Sequence, residues 1–216
     1  MKRISLIITI LCLPLILCGQ VKAQHYGPYV GGFLGGDFLM SARSSDSQGS
    51  FTLKFDPGFQ GSAVAGWDFK PNNPIGEGRI ELEYTHRSNP FNKGNFFEGD
   101  FNGSGKMIAD SLLCNFIGLL RDKSPWAPYL ELGLGAARLE TSDFKIANVP
   151  FSSDSSVVFA YQVGTGIDFA VTDNVSLDLG YRFFSTTNPR FNEANGRKFE
   201  MSYFNHSAIL GVRVGF

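Results

Sequence analysis

The 216-residue chain has little charge, few cysteines and, beyond its first two dozen residues, no long apolar run. Each shortage excludes something. Charged residues make up 18%, against about 25% in an ordinary globular chain. The 19 basic residues do not outnumber the 20 acidic ones, so the basic footprint of a nucleic-acid binder is missing. Without a stretch of about 18 apolar residues, no mature segment reads as a transmembrane helix. The three cysteines are Cys12, Cys18 and Cys114. In abundance are 25 glycines and 21 phenylalanines, with aromatics at 14%. Aromatics at that density exclude a disordered chain.

The first residues form an address. Lys2 and Arg3 precede an uncharged, mostly apolar stretch from Ile4 to Cys18, and Val21-Lys22-Ala23 offers small residues at −3 and −1 of a cut before Gln24. This is the pattern of a cleaved secretory signal peptide over residues 1–23. Its removal takes three of the 19 basic residues, leaving 16 against 20 and a mature charge of −4. Cys114 is then the single cysteine of the mature chain, so no intramolecular disulfide is expected.

The mature chain, residues 24–216, alternates with period two. Val175, Leu177, Leu179, Tyr181 and Phe183 alternate with Ser176, Asp178, Gly180 and Arg182. Ile80, Leu82 and Tyr84 alternate with Arg79, Glu81, Glu83 and Thr85. Ala208, Leu210, Val212, Val214 and Phe216 do so at the C-terminus. Eight strands follow, over about 27–40, 58–69, 78–86, 106–120, 127–141, 157–170, 175–185 and 202–216. Short connections at 70–77, 121–126 and 171–174 alternate with long ones at 41–57, 87–105, 142–156 and 186–201. That rhythm, with Gly, Ser, Asn, Asp and Pro filling the long connections as loops, predicts an eight-stranded antiparallel transmembrane up-and-down β-barrel with short periplasmic turns and long extracellular loops. A soluble eight-stranded carrier would turn the same two faces the other way. Aromatics at the strand ends favour a membrane: Trp67, Phe69, Trp126, Tyr129, Phe169 and Phe216 at one rim, and Phe59, Tyr84, Phe159, Phe183, Tyr203 and Phe204 at the other.

The polar face predicts a lumen charge cluster of Arg79, Glu81, Glu83, Glu131, Asp168, Asp178, Arg182 and Arg213. Strand direction places Arg213, Arg79, Asp178, Glu131 and Asp168 low, with Asp178 and Arg213 paired across neighbouring strands. Interleaved glycines, among them Gly133, Gly164, Gly166, Gly180 and Gly211, make room for long side chains in a narrow interior. The cluster reads as a structural plug that closes the lumen. Recognition is left to the outer loops, where Phe91, Phe96, Phe97 and Phe101 are the candidate contacts. Cys114 alternates with Leu112 and Phe116 and is expected to face lipid.

The strings Pro128-Tyr129-Leu130-Glu131-Leu132-Gly133-Leu134-Gly135, Gln162-Val163-Gly164-Thr165-Gly166-Ile167-Asp168 and Leu177-Asp178-Leu179-Gly180-Tyr181-Arg182-Phe183 resemble the small outer-membrane β-barrel family. That family includes the OmpA transmembrane domain and Opa-like porin-family surface proteins. The resemblance implies an outer-membrane location in a Gram-negative bacterium, contact with outer-membrane lipid and lipopolysaccharide, and a terminal Phe216 read by the barrel-assembly machinery. It also implies adhesion-type or surface-antigen roles through host or extracellular ligands bound by the loops. A monomer is expected, with no nucleic acid partner.

Catalytic signals are thin. His86-Arg87-Ser88-Asn89 resembles the His-x-Ser-Asn motif of outer-membrane lipid A deacylases, but there the motif lies near the C-terminus. The corresponding region here, Phe183-Phe184-Ser185-Thr186-Thr187-Asn188, has no histidine. His25, His86 and His206 show no metal-ligand spacing, and the two GxG strings lie within strands rather than ahead of a helix. The expectation is no enzyme, no metal and no cofactor, with a deacylase-like hydrolase or a narrow porin-like channel as the alternatives.

Overall fold

The computed structural model describes residues 26–70, 77–122 and 124–216. The leader predicted over residues 1–23 lies outside the described residues. Twelve strands are present among the described residues: β1 (Gly27–Leu39), β2 (Ala42–Asp46), β3 (Gly49–Phe55), β4 (Gly58–Asp68), β5 (Gly78–Phe96), β6 (Gly99–Leu119), β7 (Trp126–Ile146), β8 (Val149–Ala170), β9 (Val175–Thr186), β10 (Arg190–Asn192), β11 (Lys198–Met201) and β12 (Phe204–Gly215). Neighbours pair antiparallel throughout, in the ring β1–β4–β5–β6–β7–β8–β9–β12. Closure comes from β1, which pairs β4 on one side and β12 on the other, with Phe33 opposite Ser62 and Gly211. The eight-stranded barrel is therefore the fold that the period-two alternation predicts.

The outward face of this ring is apolar. Leu34, Leu82, Leu130, Leu179 and Leu210 are each more than half exposed. Trp67 and Trp126 mark the periplasmic rim, and Phe59, Tyr84 and Phe159 the opposite one. Two residues assigned to these girdles belong elsewhere: Tyr129 and Tyr203 point inward, 4% and 1% exposed. Tyr129 lies on β7 between outward-facing Pro128 and Leu130, and the pleat turns it to the opposite side. Tyr203 lies between β11 and β12 and packs in the core of the upper girdle. Cys114 is exposed on the lipid-facing side.

The four long connections are not loops. Above the upper rim the strands continue, and β2, β3, β10 and β11 complete a second girdle with the upper halves of β5 to β8. It closes through a bridge between Ser152 and Glu193. Three of its hairpins end in tight turns. Asp46 Oδ1 accepts the Gln48 and Gly49 N–H groups at 2.8 and 3.0 Å. Gly99 has φ 134° at the second tip, and Ala147 and Asn148 have φ 51° and 66° at the third. Two successive positive φ values are the mark of a type I′ hairpin turn.

The reason these segments read as loops is an inversion of the pattern. Along β5 the odd positions face in from Arg79 to Phe91. They are Arg79, Glu81, Glu83, Thr85, Arg87 and Asn89 low down, and then Phe91. The even positions pass from Ile80, Leu82 and Tyr84 to His86, Ser88, Pro90 and Asn92. As far as Phe91 parity holds while polarity swaps sides as the surroundings change from lipid to water; beyond it a register shift between Pro90 and Lys93 turns Gly94 and Phe96 toward the core. The upper girdle therefore has an ordinary apolar core, built of Leu53, Met107, Leu139, Phe144, Phe184, Phe191, Phe199 and their neighbours. Phe91 stacks on Phe144 at 4.6 Å between centroids, and Phe51 on Phe96 at 4.9 Å.

Candidate functional site

The lumen holds three tiers of polar side chains beneath the phenylalanine core. In the lowest tier Arg79 Nε lies 2.7 Å from Asp68 Oδ2, and a second guanidinium nitrogen bonds Asp168. Arg121, from the turn after β6, also bonds Asp68. Arg213 donates to Asp178 Oδ2 at 2.6 Å, with Asp168 at 3.2 Å and Glu81 at 3.5 Å. Two inward tyrosines complete the tier: Tyr29 Oη donates to Glu81 at 2.6 Å and Tyr129 Oη to Asp178 at 2.9 Å. Tyr129 fits because Gly166 and Gly180 face it, and a Cβ at either would lie 2.6 or 2.5 Å from its hydroxyl. The glycine face accommodates aromatic rings as much as the charged chains expected there.

The middle tier centres on Arg182, which lies 2.7 Å from Glu83 and 3.4 Å from Glu131. Asn115 donates to the other oxygen of Glu83 and Gln162 to that of Glu131, both at 2.6 Å. Glu131 is thus a tier above the low cluster predicted for it. The length of the Glu and Arg side chains, which sequence position does not convey, carries it to Arg182. The upper tier was not anticipated. Arg87, fully buried, donates to Ser111 at 2.9 Å and Gln162 at 3.1 Å, and its guanidinium lies 4.0 Å from the ring centroid of Phe184. Asp37 accepts from Asn205 at 2.7 Å and Ser207 at 2.9 Å. Arg87 falls within the His-x-Ser-Asn string, and Asp37 within the first strand, where the polar-face reading does not include it. Inward parity is the signal that finds both.

Buried charges are costly unless paired. Here Arg79, Arg182 and Arg213 bond carboxylates from other strands, and Arg87 Nε lies 3.9 Å from Asp37 Oδ1 on β1, so the network ties the ring together. Above it, Leu113, Met107 and Phe184 are less than 2% exposed and begin the apolar core.

The four phenylalanines predicted as outer contacts separate. Phe91 is 3% exposed and packs inside the upper girdle, which corrects its assignment: at an odd position of β5 it faces the interior. Phe96 packs against the same core. Phe101 lies 6.2 Å from Phe96 between centroids. Phe97, at the tip between β5 and β6, is wholly exposed.

The His-x-Ser-Asn string splits between faces. Arg87 and Asn89 point inward and are fully buried, whereas His86 and Ser88 face outward at the upper rim. His86 Nδ1 lies 2.8 Å from Asp110 Oδ1 on β6, an oxygen that also accepts from Tyr84 Oη at 2.8 Å. Among the described residues, no group of three His, Cys, Asp or Glu is placed to hold a metal ion.

Residues 9–216 match the family described as outer membrane protein beta-barrel domain. A 22 kDa outer membrane protein of Rhizobium leguminosarum bv. viciae is 30% identical over 95 residues, which cover 44% of this chain and 42% of that protein. The aligned part is thus less than half the length of this curated relative. Neisserial surface protein A superposes with a TM-score of 0.54 at 25% identity, covering 88% of this chain and 97% of that one. The outer membrane protein OprG from Pseudomonas aeruginosa superposes at 0.60 with 12% identity, covering 91% and 100%. The second likeness is one of fold.

Proposed function

The chain belongs to the outer membrane protein beta-barrel domain family, and on that premise we propose that it acts at the cell surface through its four hairpin tips, the lumen serving as a structural plug. One observation carries this reading. The interior is filled continuously, from Arg79 and Arg213 at the periplasmic end through Arg182 and Arg87 to Phe184, Phe144 and Phe51. Buried side chains lie along that axis at each level, above a small cavity of about 50 Å³ among Tyr29, Asp68, Arg79, Asp168 and Arg213. The upper girdle then works as a rigid pedestal. Its apolar core holds the tips at Asp46–Gly49, Phe96–Gly99 and Ile146–Val149 clear of the membrane, and a wholly exposed Phe97 offers the kind of aromatic anchor found in binding surfaces.

In this reading the protein is a non-catalytic monomer seated in outer-membrane lipid and lipopolysaccharide. Phe216, 71% exposed at the end of β12, is the feature offered to the barrel-assembly machinery. Adhesion of cells displaying the barrel to host cells or extracellular matrix is the test. Replacing the four tip turns with Asn-Gly should abolish adhesion while the barrel still assembles. Undiminished adhesion would overturn the reading.

A second reading is favoured by one contact. The 2.8 Å hydrogen bond between His86 Nδ1 and Asp110 Oδ1 orients His86, and Ser88 stands on the same outward face two residues along the strand. Acid, base and hydroxyl at the outer rim are the parts of an acyl hydrolase, aimed at lipid A ester chains. Under the proposed function His86→Ala and Ser88→Ala leave lipid A acylation unchanged. A gain of acyl chains in either variant would favour the hydrolase.

A further inference from the structure

The tips enclose a cleft of about 700 Å³ that opens upward between the hairpins. Its walls are aromatic: Phe51, Phe96, Phe97, Phe101 and Phe151 all line it. Phe96 stands at the centre, with Phe51 at 4.9 Å and Phe101 and Phe151 each at 6.2 Å between centroids. At the side of this wall lies Glu193. Its place is fixed by the bridge to Ser152 and by the Ala194 N–H, which donates to Phe151 C=O at 2.8 Å. The Glu193 side chain is only 4% exposed. Oε2 faces Arg197 Nε at 3.4 Å and accepts from Asn195 at 2.8 Å, but Oε1 has no hydrogen-bond partner. Asp46 and Glu98 add two further carboxylates to the lining, against Arg197 alone of positive sign.

Rings grouped about a carboxylate form a recognisable chemistry. The faces of aromatic rings attract cations, and most strongly where water is excluded. A buried carboxylate oxygen lacking a donor adds a point charge of the matching sign. We propose that this cleft binds small organic ammonium ions, with the alkylated nitrogen held among the phenylalanine rings and directed toward Glu193. The cleft shares the tips and Phe97 with the contact role, but the readouts are distinct: ammonium binding is measured on the purified barrel and adhesion on cells, and Glu193→Gln and Phe96→Leu both leave Phe97 in place.

The experiment uses the full mature chain refolded in maltoside micelles, because phosphocholine detergents would themselves compete. Choline is titrated by calorimetry beside 3,3-dimethylbutanol, its neutral carbon isostere. Saturable choline binding is expected, with the isostere weaker by about tenfold or more. Glu193→Gln removes the charge and should weaken choline by about tenfold. Phe96→Leu keeps the apolar filling, loses the ring face, and should weaken it by about threefold or more. Folding of each variant is checked by the heat-dependent gel mobility of the barrel. Where Glu193→Gln fails to assemble, Phe96→Leu decides. Equal binding of choline and the alcohol, no binding of either, or unchanged choline affinity in the assembled variants would overturn the proposal.

Discussion

Arg182 shows how much of the barrel depends on single lumen residues. It faces Glu83 and Glu131, both buried, and among the described residues no other guanidinium is bonded to them. Arg182→Ala therefore leaves two buried carboxylates without their cation and should cost about 3–5 kcal/mol, measured by urea unfolding in lipid vesicles. Gly180 tests the opposite error. A Cβ there would meet the Tyr129 hydroxyl at 2.5 Å, so Gly180→Ala should cost about 1–3 kcal/mol by overpacking. Outside the membrane, Asp154 governs a small acid response. Partial burial raises its pKa, but the Asn192 and Ser155 N–H groups it accepts from outweigh this and hold it below the usual carboxylate range. A depressed folded-state pKa contributes stability that is present above the unfolded value of about 3.9 and is lost as pH falls through the folded one. Asp154→Asn should remove that acid-side loss, read as urea midpoints at pH 3 and pH 6 that differ less than in the parent.

Strands that pass from lipid into water exchange the chemistry of their faces, and β5, β6 and β7 each carry a register shift on the way to their tips. The upper girdle should therefore behave as folded core rather than loop. Backbone amides of residues 91–95 and 139–144 should resist hydrogen exchange about as well as those of residues 80–84, whereas mobile loops would exchange within seconds. Phe144→Ala, at the stack with Phe91, should cost about 3–5 kcal/mol and release that protection. The same exchange of faces explains what the sequence makes legible. Inside the membrane, Leu177, Leu179 and Tyr181 against Asp178, Gly180 and Arg182 give strand, register and lumen charge directly. Above it, a reader seeking apolar residues on the outward side finds His86, Ser88 and Pro90 and concludes that the strand has ended. Counting on from Arg87 to Asn89 and Phe91 would have carried the strand as far as the register shift after Pro90. Inward parity marks Asp37 and Arg87 as lumen residues but not their partners: Asn205 and Ser207 lie on β12, at the other end of the chain from β1, and Gln162 on β8, three strands around the ring from β5.

At the scale of the molecule, one ring of strands makes two barrels of opposite polarity stacked on a common axis. The lower has an apolar exterior and an ion-paired bore, and the upper a polar exterior and a phenylalanine core. The abundance of phenylalanine, the low charge and the shortage of long apolar runs in the sequence are the composition of that pair. The proposed function takes both fillings to close the axis, and the role proposed for the tips rests on that closure. Single-channel recording of the purified barrel in planar lipid bilayers tests it most directly. The account predicts no stable conductance steps, and in Arg182→Ala at most brief, irregular openings. Stable, uniform conductance in the unmodified protein would contradict it.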